Sequence, residues 1–143
     1  MLYKLKLLAP LALAGHLFAG GFFLQLGNPE ASPEALKAGA VLTVKAWGCH
    51  DPATAKVTAT AIGMVNGERR EIPLKVTPLS GVGMFAIAQQ WPREGKWVIQ
   101  LEGRNGEQFT ITLVGAGPGG VDRTRFKENM HPFAASDIEA MLR

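Results

Sequence analysis

Side chains in the middle of this chain change character at every second residue, and that period decides what the chain can become. Leu42, Val44 and Ala46 share one face of such a run, as do Val57, Ala59 and Ala61 against Thr58 and Thr60. Ile72, Leu74 and Val76 follow, then Trp97, Ile99 and Leu101. In a further run Phe109, Ile111 and Leu113 are expected inside, with Thr110 and Thr112 outside. Successive side chains of an extended strand point to opposite faces, so a period of two marks a strand with one face buried. The stretch 82–90 is apolar on both faces at first, as in a central strand. Asn66-Gly67 and Asn105-Gly106 each separate two such runs. Both residue types accept the positive φ of a type I′ turn, which predicts two tight hairpins. "WPREGK" (91–96) reads as a longer hairpin loop. Pro73 and Pro78, which lack an N–H, are expected on an edge. The pattern predicts an all-β fold: an antiparallel Ig-like β-sandwich of about six to seven strands over residues 41–114. Roughly 75 residues suffice to fold alone.

The flanks read differently. "MLYKLK" carries two lysines and no acid, and an uncharged apolar stretch interrupted only by His16 follows. Residues 1–26 therefore read as an export signal or an N-terminal membrane-anchor helix. Ala12-Leu13-Ala14 and Leu17-Phe18-Ala19 are alternative cleavage motifs, while the apolar run 7–26 reaches the length of about 20 residues that spans a bilayer. Lys4 and Lys6 would hold the N-terminus in the cytoplasm and send the remainder outside. Residues 27–40 read as a linker with a short helical turn from Pro33. Residues 115–143 read as a flexible tail ending in a short helix, "SDIEAMLR", with Ser136 as N-cap, Glu139 at the third helical position and an apolar stripe of Ile138, Met141 and Leu142.

Charge and residue supply exclude several functions. Lys4 and Lys6 belong to the leader, and the other thirteen basic side chains face twelve acidic ones. That balance leaves no basic stripe for nucleic acid. Ser32, Ser80 and Ser136 fall in a linker, a turn and a cap, so Ser-His-Asp chemistry has little to work with. Glu68 and Glu71 flank Arg69 and Arg70, the texture of a solvated strand rather than an acid/base pair. "GAGPGG" (115–120) has the spacing of a dinucleotide loop but no following helix. "AWGCH" has Ala46 where haem attachment would place its first Cys. The chain is expected not to be an enzyme.

Two features remain. Cys49, the single cysteine, adjoins His50 just before an Asp51-Pro52 turn. Thiolate and imidazole suit copper or zinc. A metal set of Cys49, His50, Met130 and His131 requires the tail to fold back on this turn. The alternative is that Cys49 is a small buried hydrophobe and His50 caps the turn. Trp47, Trp91 and Trp97 either plug the core or present a binding surface. The loop of Trp91, Pro92 and Arg93, together with the tail, is the expected contact for a protein partner.

"GMFAIAQQWPREGKWVIQLEG" (83–103) also has a recognisable shape. Gly83, Phe85, Pro92, Gly95, Trp97 and Ile99 stand as in the hairpin of small bacterial periplasmic Ig-like domains of the YtkA-like and FixH-like kind, with Leu101 in place of the final Val. The stretch resembles that hairpin over about 20 residues of the chain. The resemblance implies an exported or membrane-anchored, non-enzymatic domain and, more weakly, copper handling. The resulting expectation is an extracytoplasmic accessory module, periplasmic, secreted or held at the inner membrane, that acts through a protein partner and has no cofactor. Copper handling through Cys49 and His50 is the alternative.

Overall fold

A computed structural model describes residues 21–48 and 50–143. The expected leader cleavage sites and the Cys49 side chain lie outside the described residues. Nine strands are present among them: β1 (Phe23–Gly27), β2 (Ala40–Trp47), β3 (Lys56–Val65), β4 (Glu68–Leu74), β5 (Thr77–Pro78), β6 (Met84–Ala88), β7 (Lys96–Asn105), β8 (Gln108–Gly117) and β9 (Gly120–Asn129). Two short helices, α1 (Pro33–Lys37) and α2 (Ala135–Leu142), accompany them. All strand pairs are antiparallel and form two sheets, β1-β2-β6-β5 and β4-β3-β7-β8-β9. The fold is therefore mostly antiparallel β.

A shared core joins the sheets. Leu24, Leu42, Val44 and Ile87 of the four-stranded sheet meet Ala61, Trp97, Ile99, Leu101 and Val114 of the five-stranded one. Trp97 is the largest fully buried side chain among the described residues and is 1 % exposed. Its indole lies over Gly63, its cross-strand neighbour, where any Cβ would overlap the ring. Its Nε1 donates to the Glu94 carbonyl at 2.8 Å, so the buried polar atom is satisfied.

The five-stranded sheet is buried on its other face too. Ile62, Val98 and Leu113 pack against Ile138 and Met141 of α2, with Phe133 and Leu142 at the margin. This reverses the expected faces of β8. Leu113 turns toward α2, whereas Thr112, opposite Leu101, turns into the inter-sheet core and is fully buried. The physical reason is that α2 supplies a second apolar layer, so the bulkier set in β8 has a place outside the first. Polar contacts fix the helix. The Arg125 guanidinium donates to the Met141 carbonyl at 2.8 Å, and Lys96 Nζ donates to the Arg143 carbonyl. Lys127 pairs with Asp137 at 3.8 Å and Arg69 with Glu139 at 3.5 Å. Cations at the end of a helix complement its dipole. The N-cap is Ala134 rather than Ser136, and the Asp137 carboxylate accepts from the Ala134 amide at 3.3 Å.

The domain takes in far more chain than 41–114. Residues expected in the leader form β1, with Phe22 5 % and Leu24 3 % exposed. Gly103 makes room for them, since a Cβ there would stand 2.9 Å from the Phe22 ring and 3.0 Å from a Leu24 methyl. The segment expected as a linker carries a 3₁₀ turn at Pro29–Ala31 and α1, with Ala35 fully buried. Ser32 caps α1 by accepting from the Ala35 amide at 3.2 Å. The segment expected as a flexible tail is β9 and α2, and "GAGPGG" is the β8–β9 hairpin, with Gly117 opposite Gly120.

The turn chemistry holds in part. Asn66 and Gly67 have φ of 52° and 79°, the type I′ pattern. At the other hairpin the central residues are Gly106 and Glu107, and only Gly106 has positive φ, the type II′ pattern. "WPREGK" is not a hairpin loop: β6 pairs with β2 and β5, β7 with β3 and β8, so it crosses between sheets. Pro73 and Pro78 lie in the edge strands β4 and β5, as expected.

Gly63→Ala should cost about 1–3 kcal/mol, because the indole of Trp97 cannot yield without leaving its rotamer. Urea unfolding of the two proteins measures it; equal midpoints would contradict the packing of Trp97 on Gly63.

Candidate functional sites at one end and one flank

One end of the domain collects the start of β1, the end of β2, the turn after it, the β7–β8 hairpin and the residues that follow β9. The Asp51-Pro52 turn is a 3₁₀ turn at Pro52–Thr54, capped by the Asp51 carboxylate, which accepts from the Ala53 amide at 2.9 Å. Asp51 therefore does the capping expected of His50, whose side chain is exposed. Asn105, only 3 % exposed, ties this turn to the hairpin. Its Nδ2 donates to the Asp51 carbonyl at 3.0 Å, and the Thr54 hydroxyl lies 2.7 Å from its Oδ1. An Asn expected at a turn's centre is thus the strand-end clamp that holds the 50–54 turn in place.

Met130 and His131 reach the same end. They line a cleft of about 330 Å³ with Gly21, Phe22, Glu107, Gln108 and Phe109. Gly48 closes on Gly21 and Phe22 from the other side, as a Cβ on it would stand 3.3 Å from both. The tail and the 46–52 turn therefore flank the same two residues. The Gln108 Oε1 atom is buried there and has no hydrogen-bond partner among the described residues. Among the described residues, no three His, Cys, Asp or Glu side chains converge.

The tryptophans separate cleanly. Trp91 is 5 % exposed and belongs to the inter-sheet core, so it plugs the fold, and only Pro92 and Arg93 of the expected contact loop reach the surface. Trp47 is 42 % exposed. It stacks beside Phe23 with ring centroids 6.5 Å apart, donates from Nε1 to Gln25 Oε1 at 2.5 Å, and carries the Lys45 ammonium 4.1 Å from its ring centroid. Its place as the last residue of β2, one step from Gly48, is the signal in the sequence that it lies at a rim.

A second feature runs along one flank, where β1 and β9, each an edge strand of its own sheet, line a common groove. Phe126, opposite Val114, is 50 % exposed. With Phe23, Leu24, Leu26, Arg123 and Glu128 it lines a groove of about 290 Å³. No period in residues 115–129 announced this strand, because a bulge between Val114 and Gly115 shifts its register. The Asp122 carboxylate closes the bulge. It accepts from the Thr124 hydroxyl at 2.6 Å and the Thr124 amide at 3.0 Å, and these bonds hold its pKa below the usual value. Glu34 is held low in the same way by the hydroxyl and amide of Ser80, which tie α1 to the β5–β6 loop.

The chain matches no family model, no curated protein sequence and no solved structure.

A depressed folded-state pKa contributes stability that is present above the unfolded value and lost as the pH falls through the folded one. The Glu34–Ser80 tie should therefore open on acidification through the carboxylate range. Ser80→Ala should return the Glu34 pKa toward its ordinary value in an NMR titration; an unchanged midpoint would show that the tie does not form.

Proposed function

We propose that this chain is an exported, non-enzymatic accessory module, an Ig-like β-sandwich that binds an extended segment of a protein partner along the β1–β9 flank. The carrying observation is the half-exposed ring of Phe126 on the floor of a groove between two edge strands. Edge strands offer unpaired N–H and C=O groups in the geometry that an added strand needs. Apolar side chains on the floor and Arg123 and Glu128 on the rim would select for an alternating segment. The basic, then apolar, first residues support export. Aromatic anchors at the centre of an interface commonly carry about 2 kcal/mol or more each.

A second reading is supported by the cleft at the end of the domain. Met130 and His131 line it, Gly48 abuts its floor, and Cys49 and His50 follow directly in sequence. Thioether, imidazole and thiolate form a soft donor set that suits Cu(I). On this reading the protein handles copper through Cys49, His50, Met130 and His131.

A photo-crosslinking residue at position 126 in the exported protein should trap a discrete partner that one at exposed position 30 does not; the same products at both positions, or none, would remove the flank reading. Phe126→Asp should then weaken that partner's affinity about tenfold or more. For the copper reading, Cu(I) competition against a chelator should show binding that falls in both Cys49→Ser and His131→Ala. Binding unaffected by either variant would end it.

A further inference from the structure

We infer that the end of the domain at which β1 begins is a bilayer-contacting face, seated in the lipid headgroup region. Among the described residues seven large apolar side chains are exposed, and four of them gather here: Phe23, Trp47, Val82 and Met130. Register and contacts place them together. Phe23 pairs with Trp47, the Ala46 amide donates to the Gly83 carbonyl at 2.9 Å beside Val82, and Met130 shares its cleft with Gly21 and Phe22. Each is single and small by itself. Gathered at one end, they form the kind of apolar concentration that marks an interaction surface.

The occupant follows from where the chain arrives. The segment 7–20 has no charge except a possible one on His16, and it leads straight into Gly21 and the buried Phe22. No polar spacer separates it from the fold. Three residues, from 20 to 23, reach at most about 11 Å even when fully extended. The headgroup layer on each side of a bilayer is roughly 5–8 Å deep. With residues 21–27 taken into the domain, the run 7–26 no longer stands as the span. Residues 1–20, about 30 Å long as a helix with Lys4 and Lys6 toward the far end, match the roughly 30 Å hydrocarbon core. A leader inserted in this way delivers this end to the headgroups. The surface chemistry agrees. Trp and Phe rings partition to the interface, and two cations of this end stand beside aromatic rings: the half-buried Lys45 over Trp47, and the exposed Arg104 with its guanidinium carbon 4.6 Å from the Phe109 centroid. Asp51 is occupied as the turn cap, and Glu102 lies 4.0 Å from Arg104. This face is distinct from the β1–β9 groove, although Phe23 borders both, so the two readings fail separately.

The test uses the full chain in phosphatidylcholine vesicles whose upper acyl chains carry bromine. Trp91 and Trp97 are buried in the core and serve as internal references. The expected result is a chain that floats with the vesicles and loses the Trp47 share of its emission, with a blue shift, relative to unbrominated lipid. Trp47→Phe should abolish the quenching while the chain still floats. Quenching that is absent, or that persists in Trp47→Phe, would overturn the inference, as would a chain that does not float.

Discussion

The five-stranded sheet is buried on both faces, and the rest of the molecule is arranged to make that possible. Ala61 and Ile62, Val98 and Ile99, and Leu113 and Val114 are consecutive pairs in its three middle strands, and none is more than 4 % exposed. One member of each pair points to the four-stranded sheet and the other to α2. Burying a residue of this size is worth about 1.5–3 kcal/mol, so neither cover is dispensable to a domain of this length. The four-stranded sheet must reach across with Leu24, Leu42, Val44 and Ile87, and α2 must be held flat by Arg125, Lys127, Arg69 and Lys96. β9 supplies two of those four cations, which is one reason a strand with so little buried surface is present at all.

That arrangement also explains where function can reside. With the middle strands of the larger sheet covered on both faces, one flank and one end remain open. The flank exposes edge strands and Phe126. The end exposes aromatics, the cleft of Met130 and His131, and the point at which the expected leader would join. A protein partner on the flank and a membrane at the end are compatible geometries for an accessory module, because each uses a different boundary of the same core.

Much of this architecture was legible in the sequence. Period-two alternation located β2, β3, β7 and β8, Asn66-Gly67 located a hairpin, and two prolines located edges. What the sequence concealed has identifiable causes. Phe22, Leu24 and Leu26 have the composition of a leader and the spacing of a strand, and composition masked the spacing. Thr112 faces the inter-sheet core because Leu113 packs on a helix that begins 23 residues after Thr112 and whose docking no local pattern reveals. β9 alternates poorly because its register shifts at a bulge, and Trp91 looked like a loop residue because the crossing between sheets begins there. At the candidate sites, the metal set requires Met130 and His131 to return toward the 46–52 turn, and the sequence itself carries no signal for that return. The clamp by Asn105 was not foreseen, since the same Asn-Gly pair also reads as an ordinary turn.

The account stands on β1 being part of the fold rather than the end of the leader. Hydrogen exchange of the full chain measures this directly. If the account holds, the β1 amides that bond to β2 exchange slowly, on the timescale of their β2 partners, because Phe22 and Leu24 are locked against Gly103. Exchange throughout 23–27 at the rate of an unstructured peptide, with the free edge of β2 left exposed, would contradict it. That result would return those residues to the leader and leave neither the flank nor the end face with its first wall.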